Sequence, residues 1–399
     1  MIGERTHRIG APTESERSTC QDSRAGPPTL RVVSPVRRRF PRSTGLATAR
    51  SFVENALRAR FTANRVMRPI VATYHVTSYC NLNCTYCEDF GLAKNARMMN
   101  ALLPREQAMQ VLRVIRTGIE NIIFTGGETL LHPAIEDLVA YAAELRFRYI
   151  SLITNGLLLP KRERVLPHLS RLVISLDSLD TAAWDAILAT RPGTAARIIA
   201  VIERYARLQE TYGYRLVVNC VVMPKTIGMA RDVIEFCVGS RIGFSISPQG
   251  VNDQPHADLV DNDDYRALIE DVLRMKRTGH DVLGSTVYLE HMLRFDEFQC
   301  YPTLNVRVMQ NGDLVYPCRP IADRADGQGG VAANLLDFER FEDAFALAVR
   351  RYGQPPKDCR SCFQQCFAEP SLLVRRPFRA LVEMRRYAAR PAPRPAEAV

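Results

Sequence analysis

The chain has 399 residues, of which 46% are apolar and 24% charged, so it can bury a sizeable core and is neither a disordered nor a fibrous protein. No run of 18 apolar residues occurs and the first thirty residues lack an apolar core, so neither a transmembrane helix nor a secretory signal is predicted, and we expect a cytosolic protein. The net charge of +10 comes largely from the first fifty residues, which hold ten arginines against four acidic residues. The rest of the sequence shows no basic recognition surface, so we expect no nucleic-acid partner.

Residues 1–50 are rich in Arg, Ser, Thr and Pro and have no apolar period, which predicts a disordered basic leader in which Cys20 has no role. Residues 51–67 predict an amphipathic helix, in which Phe52 and Phe61 alternate with arginines. We expect this helix to pack beneath the following domain, and a peripheral contact with an anionic membrane surface is the alternative.

From residue 68 to residue 250, short β-branched runs alternate with amphipathic segments. The predicted strands are Ile70–Val76, Asn121–Thr125, Tyr149–Thr154, Arg171–Asp177, Tyr214–Met223 and Ile242–Ser247. The predicted helices are Pro104–Thr117, one that opens at Pro133, a short Pro-bounded helix, Thr194–Glu210 and Met229–Val238. This alternation predicts an α/β fold with a parallel sheet, a partial (β/α)6 barrel of the TIM type, whose chemistry lies at the carboxyl ends of the strands.

Three cysteines, Cys80, Cys84 and Cys87, follow the first predicted strand with the spacing C-x3-C-x2-C. Zinc and iron–sulfur sites are normally closed by four protein ligands. Three thiols without a fourth ligand at matching spacing therefore suggest a metal centre with one open coordination position. A zinc knuckle or a disulfide-prone loop is the alternative.

The cysteine spacing, with Tyr86 before the third cysteine, resembles the radical SAM superfamily, and Gly126-Gly127-Glu128 after the second strand looks like the Gly-Gly-Glu element of that family. The resemblance implies a [4Fe–4S] cluster on the three cysteines, with S-adenosylmethionine on the fourth iron. It also implies that the two glycines let the backbone approach this ligand closely and that Glu128 receives its amino group.

The same resemblance implies further contacts with S-adenosylmethionine. Ser175 and Asp177 match the element that reaches its ribose or carboxylate, and Tyr86 and the Val222 backbone would face its adenine. Asn155, in a Thr-Asn-Gly turn, either joins this site or only supports the turn.

Two more positions are candidates. Related enzymes often hold the methionine carboxylate with an arginine directly after an Asp-x-Ile sequence, but Leu188 stands there in this chain, which leaves Arg191 as the candidate. Cys220, on the fifth strand, is either a small core residue or a catalytic donor of a hydrogen atom to the substrate. Because Cys220 alternates with Asn219, only one of the two faces inward.

Residues 251–290 predict a linker containing a helix at Tyr265–Thr278, residues 291–385 predict a small α+β domain, and residues 386–399 are a Pro/Ala-rich tail. The small domain contains Cys300, Cys318, Cys359, Cys362 and Cys366. Their pattern resembles the auxiliary-cluster domains of the SPASM and Twitch subfamilies. It implies one auxiliary [4Fe–4S] cluster on the first four, with Cys366 spare or an alternate ligand, and a four-thiolate zinc site is the alternative.

The resemblance implies a radical SAM enzyme that cleaves S-adenosylmethionine reductively and abstracts hydrogen from a peptide or a small natural product. A low-potential flavodoxin or ferredoxin would supply electrons, and the auxiliary cluster would assist electron transfer or substrate binding. A dehydrogenase or epimerase of a sugar or aminocyclitol, and radical modification of a lipid, are alternatives. A non-catalytic iron–sulfur scaffold or redox sensor would keep the cysteines without needing the Gly-Gly-Glu element.

Overall fold

The computed structural model describes residues 43–88, 102–251, 254–324, 326–360 and 362–388. The strands are β1 (Val71–Thr77), β2 (Asn121–Gly126), β3 (Tyr149–Thr154), β4 (Arg171–Ser175), β5 (Arg215–Val222), β6 (Gly243–Pro248), β7 (Gly250–Val251), β8 (Gln254–Pro255), β9 (Asn305–Val308), β10 (Asp313–Tyr316) and β11 (Gly330–Asn334). The helices are α1 (Ser43–Phe61), α2 (Arg105–Gly118), α3 (Ile135–Glu144), α4 (Thr181–Ile187), α5 (Thr194–Arg207), α6 (Gln209–Tyr212), α7 (Ile227–Gly239), α8 (Asp263–Arg277), α9 (Thr286–Arg294), α10 (Arg319–Ala322), α11 (Phe341–Tyr352), α12 (Gln365–Arg375) and α13 (Pro377–Ala388).

Strands β1 to β6 pair in chain order, and every pair is parallel. The predicted α/β fold with six parallel strands and intervening helices is confirmed. Helix α1 begins at Ser43, inside the leader predicted for residues 1–50, and helix α13 continues to Ala388, inside the tail predicted for residues 386–399. Residues 1–42 and 389–399 lie outside the described residues, so the rest of those two predictions remains a prediction. None of the helices in the described ranges combines the length and the apolarity needed to cross a membrane.

The two faces of the barrel strands carry different side chains. On β5, Leu216, Val218 and Cys220 lie in the core beneath the helices and are at most 1% exposed. Asn219 alternates with them and is only half-buried. The apolar face therefore holds the helices against the sheet, and the other face keeps polar groups accessible.

The C-terminal strands extend the barrel sheet rather than forming a sheet of their own. Strand β9 pairs with β1 in parallel, and β10 and β11 continue antiparallel beyond β9. The Thr73 hydroxyl donates to Asn305 Oδ1 at 2.9 Å, and the Ser78 hydroxyl donates to Gln310 Oε1 at 2.8 Å. The region predicted as a separate small domain is thus anchored next to the cysteine loop.

Two helical segments differ from the prediction. Helix α4 was not predicted from the sequence, although Asp180 caps it by accepting from the Ala182 and Ala183 N–H groups, each at 3.0 Å. The short Pro-bounded helix is a pair of 3-10 segments, Leu159–Lys161 and Glu163–His168. Proline inside the second segment leaves a carbonyl without its usual donor, which favours the tighter and shorter form.

Candidate functional site

A cavity of about 210 Å³ lies at the carboxyl ends of strands β1 to β4. The residues predicted to bind the cofactor that line this cavity are Cys80, Cys84, Tyr86, Cys87, Gly126, Gly127, Asn155, Ser175 and Asp177. The predicted residues Glu128, Arg191, Cys220 and Val222 are not part of its lining. Motifs from four separate strand ends therefore meet at one place, as the parallel topology requires.

The cysteine loop is a tight turn fastened to helix α4. The Cys87 N–H donates to the Cys84 carbonyl at 3.1 Å, which closes the turn. The Thr85 N–H donates to the Ile187 carbonyl at 2.8 Å, which ties the turn to the last residue of the helix. The three thiols consequently sit on a fixed stretch of backbone along the cavity wall.

Burial determines the protonation of two of these thiols. It raises the pKa of Cys80 to about 11 and the pKa of Cys84 to about 12, and the nearby carboxylates of Glu128 and Asp177 add to the two shifts respectively. Both free thiols are therefore protonated at neutral pH, and metal ligation must release their protons.

The described residues contain no group of three His, Cys, Asp or Glu side chains placed to hold a single metal ion. A cluster that takes one thiolate on each of three irons does not require the sulfurs to meet at one point. Three thiols on one cavity wall, with no fourth ligand in the loop, fit that kind of cluster.

The two glycines after β2 allow the chain to approach the cysteine loop. A Cβ on Gly126, whose φ is +152°, would lie 2.1 Å from the Thr77 carbonyl oxygen, and one on Gly127 would lie 2.4 Å from the Tyr79 carbonyl oxygen. The Gly127 and Glu128 N–H groups donate to those same carbonyls, each at 2.8 Å. The glycines are thus needed for backbone contact between two motifs, in addition to lining the cavity.

Glu128 lies behind the cavity wall. Its side chain is fully buried, and its carboxylate accepts from the Leu130 N–H at 2.9 Å, the Thr154 hydroxyl at 2.6 Å and the Asn155 N–H at 2.7 Å. Burial raises its pKa. In this structure its carboxylate holds the ends of β2 and β3 together, and its contact with the amino group of S-adenosylmethionine stays a prediction.

Asp177 fixes the aromatic residue of the cysteine motif. Its carboxylate accepts from the Tyr86 hydroxyl at 2.8 Å and from the Val221 N–H at 2.8 Å. Because Asp177 is 1% exposed, burial raises its pKa to about 6. Ser175, two residues earlier, also lines the cavity, so the end of β4 contributes a hydroxyl and a carboxylate to it.

Asn155 supports its own turn, as one of the two alternatives predicted. Its side-chain amide donates to Asn81 Oδ1 at 2.8 Å, and its Oδ1 accepts from the Leu157 N–H at 3.1 Å. The side chain therefore both shapes its own turn and links that turn to the cysteine loop. Its contact with S-adenosylmethionine stays a prediction.

Besides Glu128, three predicted residues do not line the cavity. Arg191 is exposed in the turn before α5. The Val222 carbonyl accepts from the Gln249 N–H at 2.9 Å, which extends the sheet ladder. Cys220 lies in the helix-facing core, where its Sγ is 3.9 Å from the Asp177 carbonyl oxygen. The expectation that Cys220 faces a substrate is thus wrong, because the strand alternation turns Asn219 to the other side.

Sequence reasoning missed an apolar part of the cavity wall. Trp184, Leu188 and Ile198, from helices α4 and α5 and the turn between them, line it together with Leu82 and Ile153. Trp184 is the single tryptophan of the chain and is 1% exposed. The signal in the sequence was a single tryptophan four residues after Asp180. Placing that tryptophan at the cavity required helix α4, which was not predicted.

The structure brings the C-terminal cysteines together as well. Cys300 and Cys318 are buried in a small cluster with Ile321 and Phe367, and the half-buried Cys359, Cys362 and Cys366 pack against it. The Cys300 N–H donates to the Cys359 carbonyl at 3.0 Å. The neighbouring Cys359 and Cys362 raise the pKa of the Cys300 thiol, because a thiolate there would face other sulfurs. Such a crowded set fits a cationic metal centre that neutralises several thiolates.

Polar side chains hold the backbone of this cysteine cluster. The His291 ring donates to the Cys362 carbonyl at 3.1 Å, and the Asn305 side chain donates to the Cys366 carbonyl at 3.3 Å. The Ser371 hydroxyl lies 3.7 Å from Cys300 Sγ. Asn305 also bonds to β1, so one residue connects the cysteine cluster to the barrel.

Comparison with known proteins agrees with the geometry. Residues 74–237 match the family model described as Radical SAM superfamily. The chain is 35% identical over 219 residues to GTP 3′,8-cyclase of Mycobacterium marinum, a match that covers 50% of this chain and 57% of that protein. The chain thus spans about half the length of the curated relatives it matches.

Two solved structures share the fold. Streptococcus suis SuiB is similar with a TM-score of 0.52 and 18% identity, covering 72% of this chain and 68% of that chain. Native anSMEcpe with bound AdoMet is similar with a TM-score of 0.50 and 16% identity, and the match covers 80% of this chain and 99% of that chain. The family match, the fold and the meeting of the cysteine and glycine motifs together identify residues 74–237 as a domain of the radical SAM superfamily.

Proposed function

We propose that this chain is an enzyme that reductively cleaves S-adenosylmethionine and abstracts hydrogen from an organic substrate. One observation carries the proposal: a single cavity is bordered by the thiols of Cys80, Cys84 and Cys87, by the backbone of Gly126 and Gly127 and by polar side chains at the end of β4. A scaffold or redox sensor needs the thiols but not the rest of this cavity.

Cys80, Cys84 and Cys87 would hold a [4Fe–4S] cluster through three of its irons and leave the fourth for the amino and carboxylate groups of S-adenosylmethionine. The bound cluster supplies the electron that breaks the carbon–sulfur bond of the sulfonium. The protein binds the cofactor in one orientation, because the cysteine loop, the glycine pair and helix α4 are joined by backbone hydrogen bonds.

The aromatic and apolar part of the cavity lining suits the nucleoside part of S-adenosylmethionine. Tyr86 is held by Asp177, and Trp184, Leu188 and Ile198 supply apolar contacts. Apolar side chains beside a reactive centre exclude water, which would otherwise quench a reactive intermediate. The sugar hydroxyls would meet the polar groups at the end of β4.

Asn219 is the group that we expect to contact the substrate. It is the register neighbour of Ser175 on one side and of Ser245 on the other. Its Oδ1 accepts from the hydroxyls of Ser245 at 2.8 Å and Ser247 at 3.2 Å, which fixes the amide orientation. Asn219 does not itself line the cavity, but its register neighbour Ser175 does, and its two N–H donors would bind a carbonyl or carboxylate oxygen of a substrate that extends past Ser175.

The second set of cysteines would hold one auxiliary [4Fe–4S] cluster on Cys300, Cys318, Cys359 and Cys362. Support comes from the packing of these thiols against one small core, to which Asn305 links β1. A four-thiolate zinc site is the alternative from the sequence, but the described residues hold no group of three such side chains placed for a single ion, which favours the iron–sulfur cluster. An auxiliary iron–sulfur cluster would assist electron transfer or substrate binding, and a flavodoxin or ferredoxin would supply the first electron.

Two substrate classes follow from two different observations. The pattern of the five C-terminal cysteines, which pack together, resembles the auxiliary domains of SPASM and Twitch enzymes, and this supports a peptide or a small natural product. The similarity to proteins named GTP 3′,8-cyclase supports GTP as the second candidate, and it covers half of this chain.

The test is anaerobic reconstitution with iron and sulfide, reduction with dithionite and incubation with S-adenosylmethionine. We expect 5′-deoxyadenosine and methionine in equal amounts, measured by mass spectrometry. Calorimetric binding of S-adenosylmethionine without any cleavage would instead indicate a non-catalytic protein. Addition of GTP or of candidate peptides then separates the two substrate classes, because a true substrate becomes modified and increases the turnover.

A further inference from the structure

Exposed apolar side chains are concentrated on two helices at one end of the described chain. Ten large apolar side chains are exposed in the described residues, and six of them lie on α1 and α13. The six are Val53, Leu57, Phe61, Phe378, Leu381 and Val382. Phe61 and Phe378 are 75% and 83% exposed. The other four are scattered singly over the molecule, as is normal for soluble proteins.

Each helix carries its exposed apolar residues as a stripe beside or opposite its buried face. On α1, Val53, Leu57 and Phe61 recur every four residues, while Phe52 is buried in a small core. On α13, Phe378 and Val382 show the same spacing, while Ala380 is buried in that core. The two helices pack against each other, which brings the two striped helices side by side.

Arginines surround this region. The exposed arginines of α1 are Arg50, Arg58 and Arg60, and those at the end of α12 and the start of α13 are Arg375, Arg376 and Arg379. The described acidic side chains of the two helices are Glu54, which pairs with Arg50, and Glu383, which is buried. Glu290 of α9 pairs with Arg376 and Arg379 but leaves a clear excess of positive charge.

We propose that this arginine-flanked apolar surface binds the surface of an anionic phospholipid bilayer. Aromatic and aliphatic side chains at the stripe enter the boundary between headgroups and acyl chains, and the arginines reach the lipid phosphates. Charge complementarity favours this occupant over a second copy of the chain, because two such surfaces facing each other would bring like charges together. The inference is independent of the radical chemistry.

The test is co-sedimentation of the full-length protein with vesicles. One set contains phosphatidylcholine alone, and the other contains phosphatidylcholine and phosphatidylglycerol in equal amounts. We expect binding to the anionic vesicles at least about tenfold stronger than to the neutral ones, with a marked decrease at high salt. Equal binding to both sets, or no binding to either, overturns the proposal.

Two sets of substitutions make the test specific. A triple variant, Leu57→Ser, Phe61→Ser and Phe378→Ser, is expected to weaken vesicle binding by at least about tenfold. The matched control, Val238→Ser, Val260→Ser and Val331→Ser, removes exposed apolar side chains elsewhere and should bind like the wild type. A charge variant, Arg60→Gln with Arg379→Gln, should weaken binding to the anionic vesicles alone.

Sedimentation equilibrium separates the membrane from a second copy as occupant. A wild-type dimer that the triple variant abolishes, together with vesicle binding equal in both proteins, would assign the surface to self-association and overturn the proposal. A monomeric wild type whose vesicle binding the triple variant loses would support it. Thermal unfolding of each variant provides the folding control, since all substituted side chains are exposed.

Discussion

The two sets of cysteines are assembled in different ways. Cys80, Cys84 and Cys87 come from one eight-residue turn and are half-buried along a cavity. The C-terminal set is gathered from segments that are far apart in the chain, and it combines two buried thiols, Cys300 and Cys318, with three half-buried ones. The first set shares its cavity with glycine backbone and polar groups, whereas the second is packed among Phe298, Ile321 and Phe367.

This difference indicates a division of roles. A metal centre that binds an organic cosubstrate needs an accessible side and polar partners beside it, and the cysteine loop has both. A centre packed on one side against aromatic and aliphatic side chains is held firmly and is less open to water there, which suits electron transfer. The connection between them passes through Asn305, which bonds to Thr73 of β1 and to the Cys366 carbonyl.

The largest expected effect comes from removing a thiol of the cysteine loop. Cys84→Ala should abolish formation of 5′-deoxyadenosine and lower the iron content by about four per chain, because a cluster held by two thiolates does not persist. Iron analysis and mass spectrometry measure both. Cys237→Ala, which removes a thiol from the helix-facing core, is the matched control and should retain both iron and cleavage.

Removing a thiol of the second set tests whether the two metal centres are independent. Cys359→Ala should lower the iron content by about four while leaving cleavage of S-adenosylmethionine without substrate largely intact, because the cysteine loop is unchanged. If metal analysis of the wild type instead shows one zinc that this variant loses, with iron unchanged, the second site is the four-thiolate zinc alternative.

A substitution of Glu128 tests whether binding of S-adenosylmethionine depends on the buried hydrogen bonds that join the ends of β2 and β3. Glu128→Gln replaces an acceptor oxygen by an amide N–H₂ beside the N–H donors of Leu130 and Asn155. We expect a loss of about 1–3 kcal/mol in the free energy of unfolding and about tenfold weaker binding of S-adenosylmethionine. Urea unfolding and calorimetry measure the two effects. If Glu128→Gln binds S-adenosylmethionine more weakly but is as stable as the wild type, Glu128 contacts the amino group of the cofactor directly.

Asp177 should give the first site a pH dependence. Its pKa is raised from 3.8 to about 6 by burial, so the folded state binds the proton more tightly than the unfolded state does. Its contribution to stability therefore falls as the pH rises through this window, by about 1 kcal/mol between pH 5 and pH 7. Asp177→Asn should flatten that part of the stability profile, which denaturant titrations at several pH values can show.

The smallest effect is expected at Cys220. Because its thiol faces the core, Cys220→Ala should leave solvent-deuterium incorporation into product unchanged and cost about 1 kcal/mol of stability. Asn219→Ala is the matched variant on the facing side of the strand and should raise KM for the substrate. Loss of deuterium incorporation in Cys220→Ala alone would contradict the assignment of the two faces.

The sequence was sufficient for the local features of this molecule. The strand pattern and the meeting of the Cys80–Cys87 loop with Gly126 followed from alternation and from the rule that parallel strands end on one edge. The orientations of Glu128 and Cys220 did not follow, because they depend on which donors surround a carboxylate and on which face of a strand the helices cover. Helix α4 was missed because a seven-residue helix has little periodicity of its own.

The most direct measurement is electron paramagnetic resonance of the reduced Cys359→Ala protein, in which only the cluster of the cysteine loop should remain. We expect the signal of one reduced [4Fe–4S] cluster whose g values shift when S-adenosylmethionine is added, because the cofactor would occupy the fourth iron. A signal that stays the same at saturating S-adenosylmethionine would contradict it.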